Sequence, residues 1–222
     1  MTNNPRAVLF ANGQATERAL LPLEPGDYLV AVDGGLHPMQ ALQLTPNLLI
    51  GDLDSVTAAE VAECQEKGVE ILRYPPAKDQ TDLELALDQV LARGFRRIML
   101  AFALGGRLDH TLGNLGLLSR PDLAGCEVWL DDGKSRVSLL RDQITLQTSP
   151  GDLVSLLPWN APAEGVRTSG LAYPLNGETL LPYQTRGISN LSTAGSCSIS
   201  LKNGLLLVIH QRLLPKQKGI NP

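Results

Sequence analysis

The chain has 222 residues, 43% of them hydrophobic but only 4% aromatic, and a formal net charge of −4. That length supports one large domain or two modest ones, with Leu, Val, Ile and Ala supplying the core. No dense basic run suits nucleic acid, and the longest clearly apolar run, 98–104, is far too short to span a bilayer.

Strand-like and helix-like segments alternate through the first half. Short Val/Leu-rich runs at 7–11, 28–32, 48–50, 69–72, 98–104 and 127–130 read as strands. Between them, 57–67 opens with Thr57 three residues before Glu60, the spacing of a capping box, and stops at Gly68. Residues 82–92 place Leu83, Leu87, Val90 and Leu91 on one helical face and stop at Gly94, and 109–118 forms a further helix. This alternation predicts an α/β domain with a mostly parallel, Rossmann-like sheet covered on both faces.

From Ser135 onward helical periodicity disappears. Runs at 137–140, 144–147, 153–157, 166–169, 197–201 and 205–210 alternate with turns, which predicts an all-β sandwich or barrel. Asn203-Gly204 reads as a two-residue hairpin joining the last two runs, and Asn176-Gly177 as another turn. The expected domains are therefore 1–134 and 135–222, and the polar tail at 215–222 is expected to be mobile. Charge divides at the same place. Residues 1–133 carry 19 Asp and Glu against 10 Lys and Arg, a balance of −9, whereas 134–222 carry 4 against 9, a balance of +5. The three cysteines, Cys64, Cys126 and Cys197, are odd in number and lack CxxC spacing, so neither a zinc site nor a disulfide framework is expected. With no signal-peptide layout at the N-terminus, a reducing cytoplasmic location is the expectation.

Four carboxylate-bearing motifs each follow a strand-like run: Asp33-Gly34-Gly35, Gly51-Asp52-Leu53-Asp54-Ser55, Lys78-Asp79-Gln80-Thr81-Asp82 and Gly105-Gly106-Arg107-Leu108-Asp109-His110. In a parallel sheet all strand C-termini open on one edge, so motifs far apart in sequence converge there. Converging carboxylates repel one another unless a cation sits among them, and Mg²⁺ prefers a few carboxylates together with phosphate oxygens. The first reading is thus a Mg²⁺–nucleotide site. Asp52 and Asp54 carry most weight, because a plain turn or helix cap does not need both acids. Asp33-Gly34-Gly35 serves equally as an ordinary turn. Asp79 or Thr81 can simply cap a helix while Asp82 complements its dipole. The Gly-Gly-Arg segment makes a sensible phosphate cradle but lacks the Gly-Lys-Ser/Thr of a Walker loop. His110 at a helix start is more often structural than catalytic.

Taken in order, these motifs resemble the thiamine pyrophosphokinase (thiamine diphosphokinase) family, whose pattern runs D-G-G, G-D-x-D-S, K-D-x-T-D and G-x-R-x-D-H, then G-L-x-Y-P-L and S-N. The second half supplies Gly170-Leu171-Ala172-Tyr173-Pro174-Leu175 and Gly187-Ile188-Ser189-Asn190. The residues between Leu175 and Gly187, and those after Asn190, follow no family pattern. The resemblance implies an N-terminal domain for Mg²⁺-ATP and a C-terminal β-sandwich that binds thiamine and supports a homodimer. The substrate is then held between the α/β domain of one subunit and the β-domain of the other. It implies the reaction ATP + thiamine → AMP + thiamine diphosphate.

Under that resemblance Asp52, Asp54 and Asp82 are the expected metal ligands, with Asp33 adjoining. Arg107 and Asp109 join the three as catalytic candidates, Asp109 as a metal ligand, as a partner that orients Arg107 or as a proton acceptor. Asp33, Gly34, Gly35, Lys78, Thr81, Gly106, Arg107 and His110 form the expected ATP side. Asp82, Tyr173, Ser189 and Asn190 form the thiamine side. An aromatic face suits a flat cation, so Tyr173 and Trp159 are candidates, with a core position the alternative for Tyr173. Three other readings stay open: the same chemistry on another heterocyclic alcohol such as a hydroxymethylpterin, a non-catalytic nucleotide sensor, and a metal-dependent phosphohydrolase.

Overall fold

The apolar runs of the first half become parallel strands, fully buried in β1 and β3 and half-exposed at the edge strand β4. In the computed structural model, which describes residues 5–13 and 21–213, these are β1 (Arg6–Phe10), β2 (Tyr28–Val32), β3 (Leu48–Gly51), β4 (Glu70–Arg73), β5 (Arg97–Ala101) and β6 (Glu127–Asp131). They pair in the order β6-β5-β1-β2-β3-β4, every pair parallel. The order reverses direction at β1. Connections therefore leave to opposite sides from β1 and β5, and a crevice opens at the carboxyl ends of those strands.

Among the described residues, four α-helices accompany the sheet: α1 (Leu36–Ala41), α2 (Ala58–Glu66), α3 (Asp82–Ala92) and α4 (Leu108–Leu117). Strand side chains alternate between faces. Val8, Phe10, Ala31, Leu49, Met99, Ala101 and Trp129 accordingly share one core with Leu36 and Met39 of α1 and Cys64 of α2. Helix α3 lies against β1, β2 and β3 and buries Leu83, Leu87 and Val90. Thr57 caps α2 through the full capping box with Glu60. Helix α4 buries none of its residues, and Leu108 and Leu112 are exposed.

The chain divides into two compact units, Met1–Gly133 and Lys134–Pro222. The second is wholly antiparallel: β7 (Ser135–Leu140), β8 (Gln143–Gln147), β9 (Leu153–Pro158), β10 (Ala163–Ser169), β11 (Asn176–Leu180), β12 (Asn190–Leu191), β13 (Ser196–Ser200) and β14 (Leu206–Gln211). One sheet runs β12-β9-β14-β7, the other β11-β10-β13-β8. Val154, Leu156, Leu206 and Val208 of the first interlock with Leu146, Val166, Leu180 and Ile199 of the second in a single core. That makes the unit a sandwich. A buried pair, His210 Nε2 to Asp152 Oδ2 at 2.8 Å, ties the end of β14 to the start of β9. Burial alone would push the Asp152 carboxyl up. The backbone N–H groups of Leu213 and Ser149 and the His210 ring outweigh it and hold Asp152 below the usual range.

Three expectations need correction. The run at 98–104 ends as a strand at Ala101, because Phe102 turns into the left-handed region, φ 52°. Asn203-Gly204 does not close a hairpin: β13 and β14 lie in different sheets. Asn203 instead bridges Glu164 of β10, with mutual backbone hydrogen bonds, so the segment is a crossover between sheets. Asn176-Gly177 opens β11 instead of turning the chain, with Gly177 against the Arg167 guanidinium. The expected mobile tail at 215–222 lies outside the described residues. No helix among the described residues is long and apolar enough to cross a membrane, and all three cysteines are free thiols.

Candidate active site

Three strand ends bring the acidic motifs together. Strand β2 ends at Val32, and Asp33 adopts φ 47° as it enters a tight turn leading to α1. Strand β3 ends at Gly51. Leu53 then adopts φ 63° and buries its side chain, which leaves Asp52 and Asp54 flanking it outside the core. Carboxylate oxygens of Asp33, Asp52 and Asp54 lie within 4.8 Å of one another. Loop N–H groups partly offset this charge. Asp54 N–H donates to Asp52 Oδ1 (3.2 Å), Ser55 N–H to Asp33 Oδ1 (3.3 Å), and the Ser55 hydroxyl to Asp54 Oδ1 (3.1 Å). Gly51, at φ 147°, is needed here because a Cβ would stand 3.0 Å from Asp33 Cβ and 3.3 Å from the Asp82 carboxyl. Left-handed non-glycine residues at Asp33, Leu53 and Phe102 mark strain stored along this one edge.

Asp82 opens α3 behind the N-cap Thr81, whose hydroxyl accepts from Glu84 N–H (3.3 Å). Lys78 Nζ reaches Asp52 Oδ2 (3.3 Å) and Asp82 Oδ1 (3.1 Å). The second contact is close but misaligned, so Asp82 Oδ1 is buried without a hydrogen bond. Burial pushes the Asp82 carboxyl up, Lys78 pulls it back only in part, and the charges of Asp52 and Asp33 push it further up. Burial also works against ionising Asp52, but the Asp54 N–H and Lys78 overcome it and hold Asp52 below the usual range. For Lys78 burial favours the neutral amine. The two carboxylates win, and its pKa rises. An all-oxygen donor set this compact, with one further oxygen left unsatisfied, fits a hard divalent cation.

A cleft of about 330 Å³ adjoins the cluster, walled by Asn12 and Gly13 after β1, Asp33, Asp82, and Gly106, Arg107, His110 and Asn114 around the start of α4. Gly105 and Gly106 both take positive φ (79° and 68°), which turns the chain sharply into that helix. Arg107 pairs with Asp109 through two hydrogen bonds, Nη2–Oδ2 at 2.6 Å and Nε–Oδ1 at 3.2 Å. The guanidinium, with the His110 N–H, holds Asp109 down at about 2.

A second cleft, about 310 Å³, lies within the sandwich unit and is lined by Tyr173, Pro174, Leu175, Arg186, Ile188 and Asn190, among others. Tyr173 is 71% exposed. Its backbone is clamped by the buried Asn190 amide. Tyr173 N–H donates to Oδ1 (3.0 Å) and Nδ2 donates to the Tyr173 carbonyl (2.7 Å).

Residues 22–130 match the family model described as thiamin pyrophosphokinase, catalytic domain, and 142–206 match thiamin pyrophosphokinase, vitamin B1 binding domain. The chain belongs to the thiamine pyrophosphokinase family. It is 27% identical to the thiamine pyrophosphokinase of Bacillus subtilis (strain 168) over 190 residues, 81% of this chain and 85% of that one. The crystal structure of thiamine pyrophosphokinase from B. subtilis superposes with a TM-score of 0.82 at 25% identity, covering 94% of this chain and all of the other. A thiamin pyrophosphokinase family protein from Enterococcus faecalis gives 0.81 at 27% identity, with 94% and 100% coverage.

Against the expected thiamine pyrophosphokinase site, the structure gathers Asp33, Asp52, Asp54, Asp82 and Lys78. It places Asp33, Thr81, Asp82, Gly106, Arg107 and His110 on the cleft wall. Asp33 takes the third position of the carboxylate trio that the sequence reading assigned to Asp82. Gly34 and Gly35 are buried packing residues: a Cβ on either would collide with Asn12 or with the Phe10 carbonyl. Lys78 faces the carboxylates and is not on the cleft wall. The exposed Tyr173 excludes the core alternative for that ring. Trp159 is not on the second cleft, nor is Ser189, which has φ 59° and donates its N–H to Ser155 Oγ (2.9 Å). Sequence reading passed over Asn12, Gly13 and Asn114. Asn12-Gly13, one residue past the end of the central strand β1, is the signal that would have found the first two.

Proposed function

We propose that this chain transfers the pyrophosphoryl group of Mg²⁺-ATP to the hydroxyl of thiamine, giving thiamine diphosphate and AMP. The observation that carries the chemistry is the Asp33–Asp52–Asp54 trio beside a cleft that ends in Arg107 at a helix N-terminus. Family membership supplies the acceptor. Asp33, Asp52 and Asp54 would hold the Mg²⁺, with Asp82 adjoining. When bound, that ion neutralises charge on the polyphosphate oxygens. The thiamine hydroxyl oxygen attacks the β-phosphorus, the bond to the α–β bridging oxygen breaks, AMP leaves with that oxygen, and the hydroxyl proton is released to solvent. Positioning and charge neutralisation supply most of the rate in such transfers. Arg107 faces the developing charge. Asp109 grips the guanidinium through two hydrogen bonds and so orients Arg107.

In the sandwich unit, Tyr173 offers its ring to the thiamine cation. Asn190 holds the Tyr173 backbone from the wall of the same cleft. The same reading includes a homodimer formed through the sandwich unit, where Tyr173, Tyr183, Ile188 and Leu191 are exposed. It includes a Rossmann-like description of the first unit, resting on the strand-order reversal at β1. It also includes a cytoplasmic location, resting on three free thiols. Incubation with Mg²⁺-ATP and thiamine, with products identified by mass, tests the proposal. AMP and thiamine diphosphate are expected. ADP with a monophosphate, or faster turnover of a pterin alcohol than of thiamine, overturns it.

A further inference from the structure

The sequence reading aims Lys78 at the polyphosphate, but its ammonium is turned inward. Nζ lies 3.3 Å from Asp52 Oδ2, 3.1 Å from Asp82 Oδ1 and 3.2 Å from the Pro75 carbonyl. Of its three donors, two are taken by Asp52 Oδ2 and the Pro75 carbonyl, and Asp82 Oδ1 adds a close ion contact. The lysine and Asp52 side chains are each only 14% exposed, so water screens the contact poorly. Four carboxylates crowd this edge: the close trio of Asp33, Asp52 and Asp54, and Asp82 against Gly51 and Asp33. Among the described residues, the ion pairs made by Asp52 and Asp82 both go to Lys78. The local charge from these five groups is strongly negative even with Lys78 in place, and without Lys78 only the loop N–H and hydroxyl donors would temper the repulsion until a metal arrived.

We propose that Lys78 is a positioning residue: it is the resident counter-cation that spaces Asp52 and Asp82 in the metal-free protein, and it competes with the divalent ion for Asp52. This rests on the reading that the carboxylate cluster holds such an ion. Two cations sharing one carboxylate repel, so metal binding releases the ammonium from Asp52 toward the cleft. Lys78 then joins the phosphate side only after the ion is in place.

The test uses full-length, nucleotide-free protein and Mn²⁺, with free Mn²⁺ followed by electron paramagnetic resonance. Lys78→Met should bind Mn²⁺ on the order of tenfold more tightly than the native chain at low salt, with the gain shrinking as salt rises. Its metal-free form should melt lower, and saturating Mn²⁺ should raise that melting temperature more than it raises the native one. Lys78→Arg, which keeps the charge, should restore an affinity near native. A merely structural lysine predicts weaker Mn²⁺ binding on removal. Affinity in Lys78→Met that is unchanged or weaker, or no Mn²⁺ bound by either form, overturns the proposal. Should Lys78→Met not fold, the native protein decides. Acetylation of Lys78 by acetic anhydride, read by mass spectrometry, should be slow without metal and several-fold faster with saturating Mn²⁺, and equal rates overturn the proposal. None of these readouts depends on the acceptor, so a failure to make thiamine diphosphate would strike the functional reading alone.

Discussion

Replacing Gly51 by alanine tests whether close approach of Asp33 and Asp82 organises the cluster. Two costs can be worked from the structure. The residue sits at φ 147°, where an L side chain is strained, at roughly 1–3 kcal/mol. The added Cβ would also stand 3.0 Å from Asp33 Cβ and 3.3 Å from Asp82 Cγ and Oδ1, inside the roughly 3.5–4.0 Å optimum for carbon contacts. Overpacking of that kind adds about 1 kcal/mol or more. A total of about 2–4 kcal/mol corresponds to a melting temperature lower by roughly 5–15 °C in a chain of this length. The same displacement should pull Asp33 from Asp52 and Asp54, and losing about 1–2 kcal/mol of ion binding raises half-saturating Mg²⁺ roughly five- to thirtyfold. Thermal unfolding in chelator, followed by Mg²⁺ titration of AMP release, measures both. Gly106→Ala is the control: its φ is 68° but nothing lies within 4 Å of the added Cβ, so only the strain cost and a wild-type Mg²⁺ requirement are expected. A Gly51→Ala protein that melts within about 2 °C of native and keeps the native Mg²⁺ requirement would refute the reasoning.

Asp54→Asn should lower turnover at least a hundredfold while the metal-free protein melts at or above the native temperature, because it removes one of several repelling charges. Near-native turnover at saturating Mg²⁺ would move the ion elsewhere. Tyr173→Ala should weaken thiamine binding about five- to thirtyfold, the loss of one cation–π contact of about 1–2 kcal/mol, and leave ATP binding unchanged. Calorimetric titration with each ligand separates the two, and a loss confined to ATP would sink the division of labour. Arg107→Ala should return the Asp109 carboxyl from about 2 toward its ordinary 3.8, read by carboxyl NMR across an acid titration. Because the native pKa is the depressed one, the pair's contribution is present above pH 4 and is lost as pH falls toward 2. A midpoint unmoved by the substitution would mean that Arg107 does not hold Asp109.

Local patterning determined much of this protein. The capping box at Thr57 and Glu60, the apolar face of 82–92 and the glycine stops at 68 and 94 are short-range signals, and each helix formed where its own residues directed. Fully apolar runs became buried parallel strands because strand–helix alternation leaves no other way to cover both faces. The motif order at successive strand ends was enough to place the acidic residues on one edge and to indicate the family. What tertiary structure alone decided is which groups meet. Whether Asn203-Gly204 closes a hairpin depends on which sheet accepts the next strand, and sandwich packing sent β13 and β14 to different sheets. Asp33 joins Asp52 and Asp54 because two left-handed residues and a glycine without a Cβ let distant loops touch. Lys78 faces carboxylates instead of the cleft for the same reason. A charged side chain follows the field of all its neighbours, and most of those neighbours are set by the fold, not by adjacent sequence.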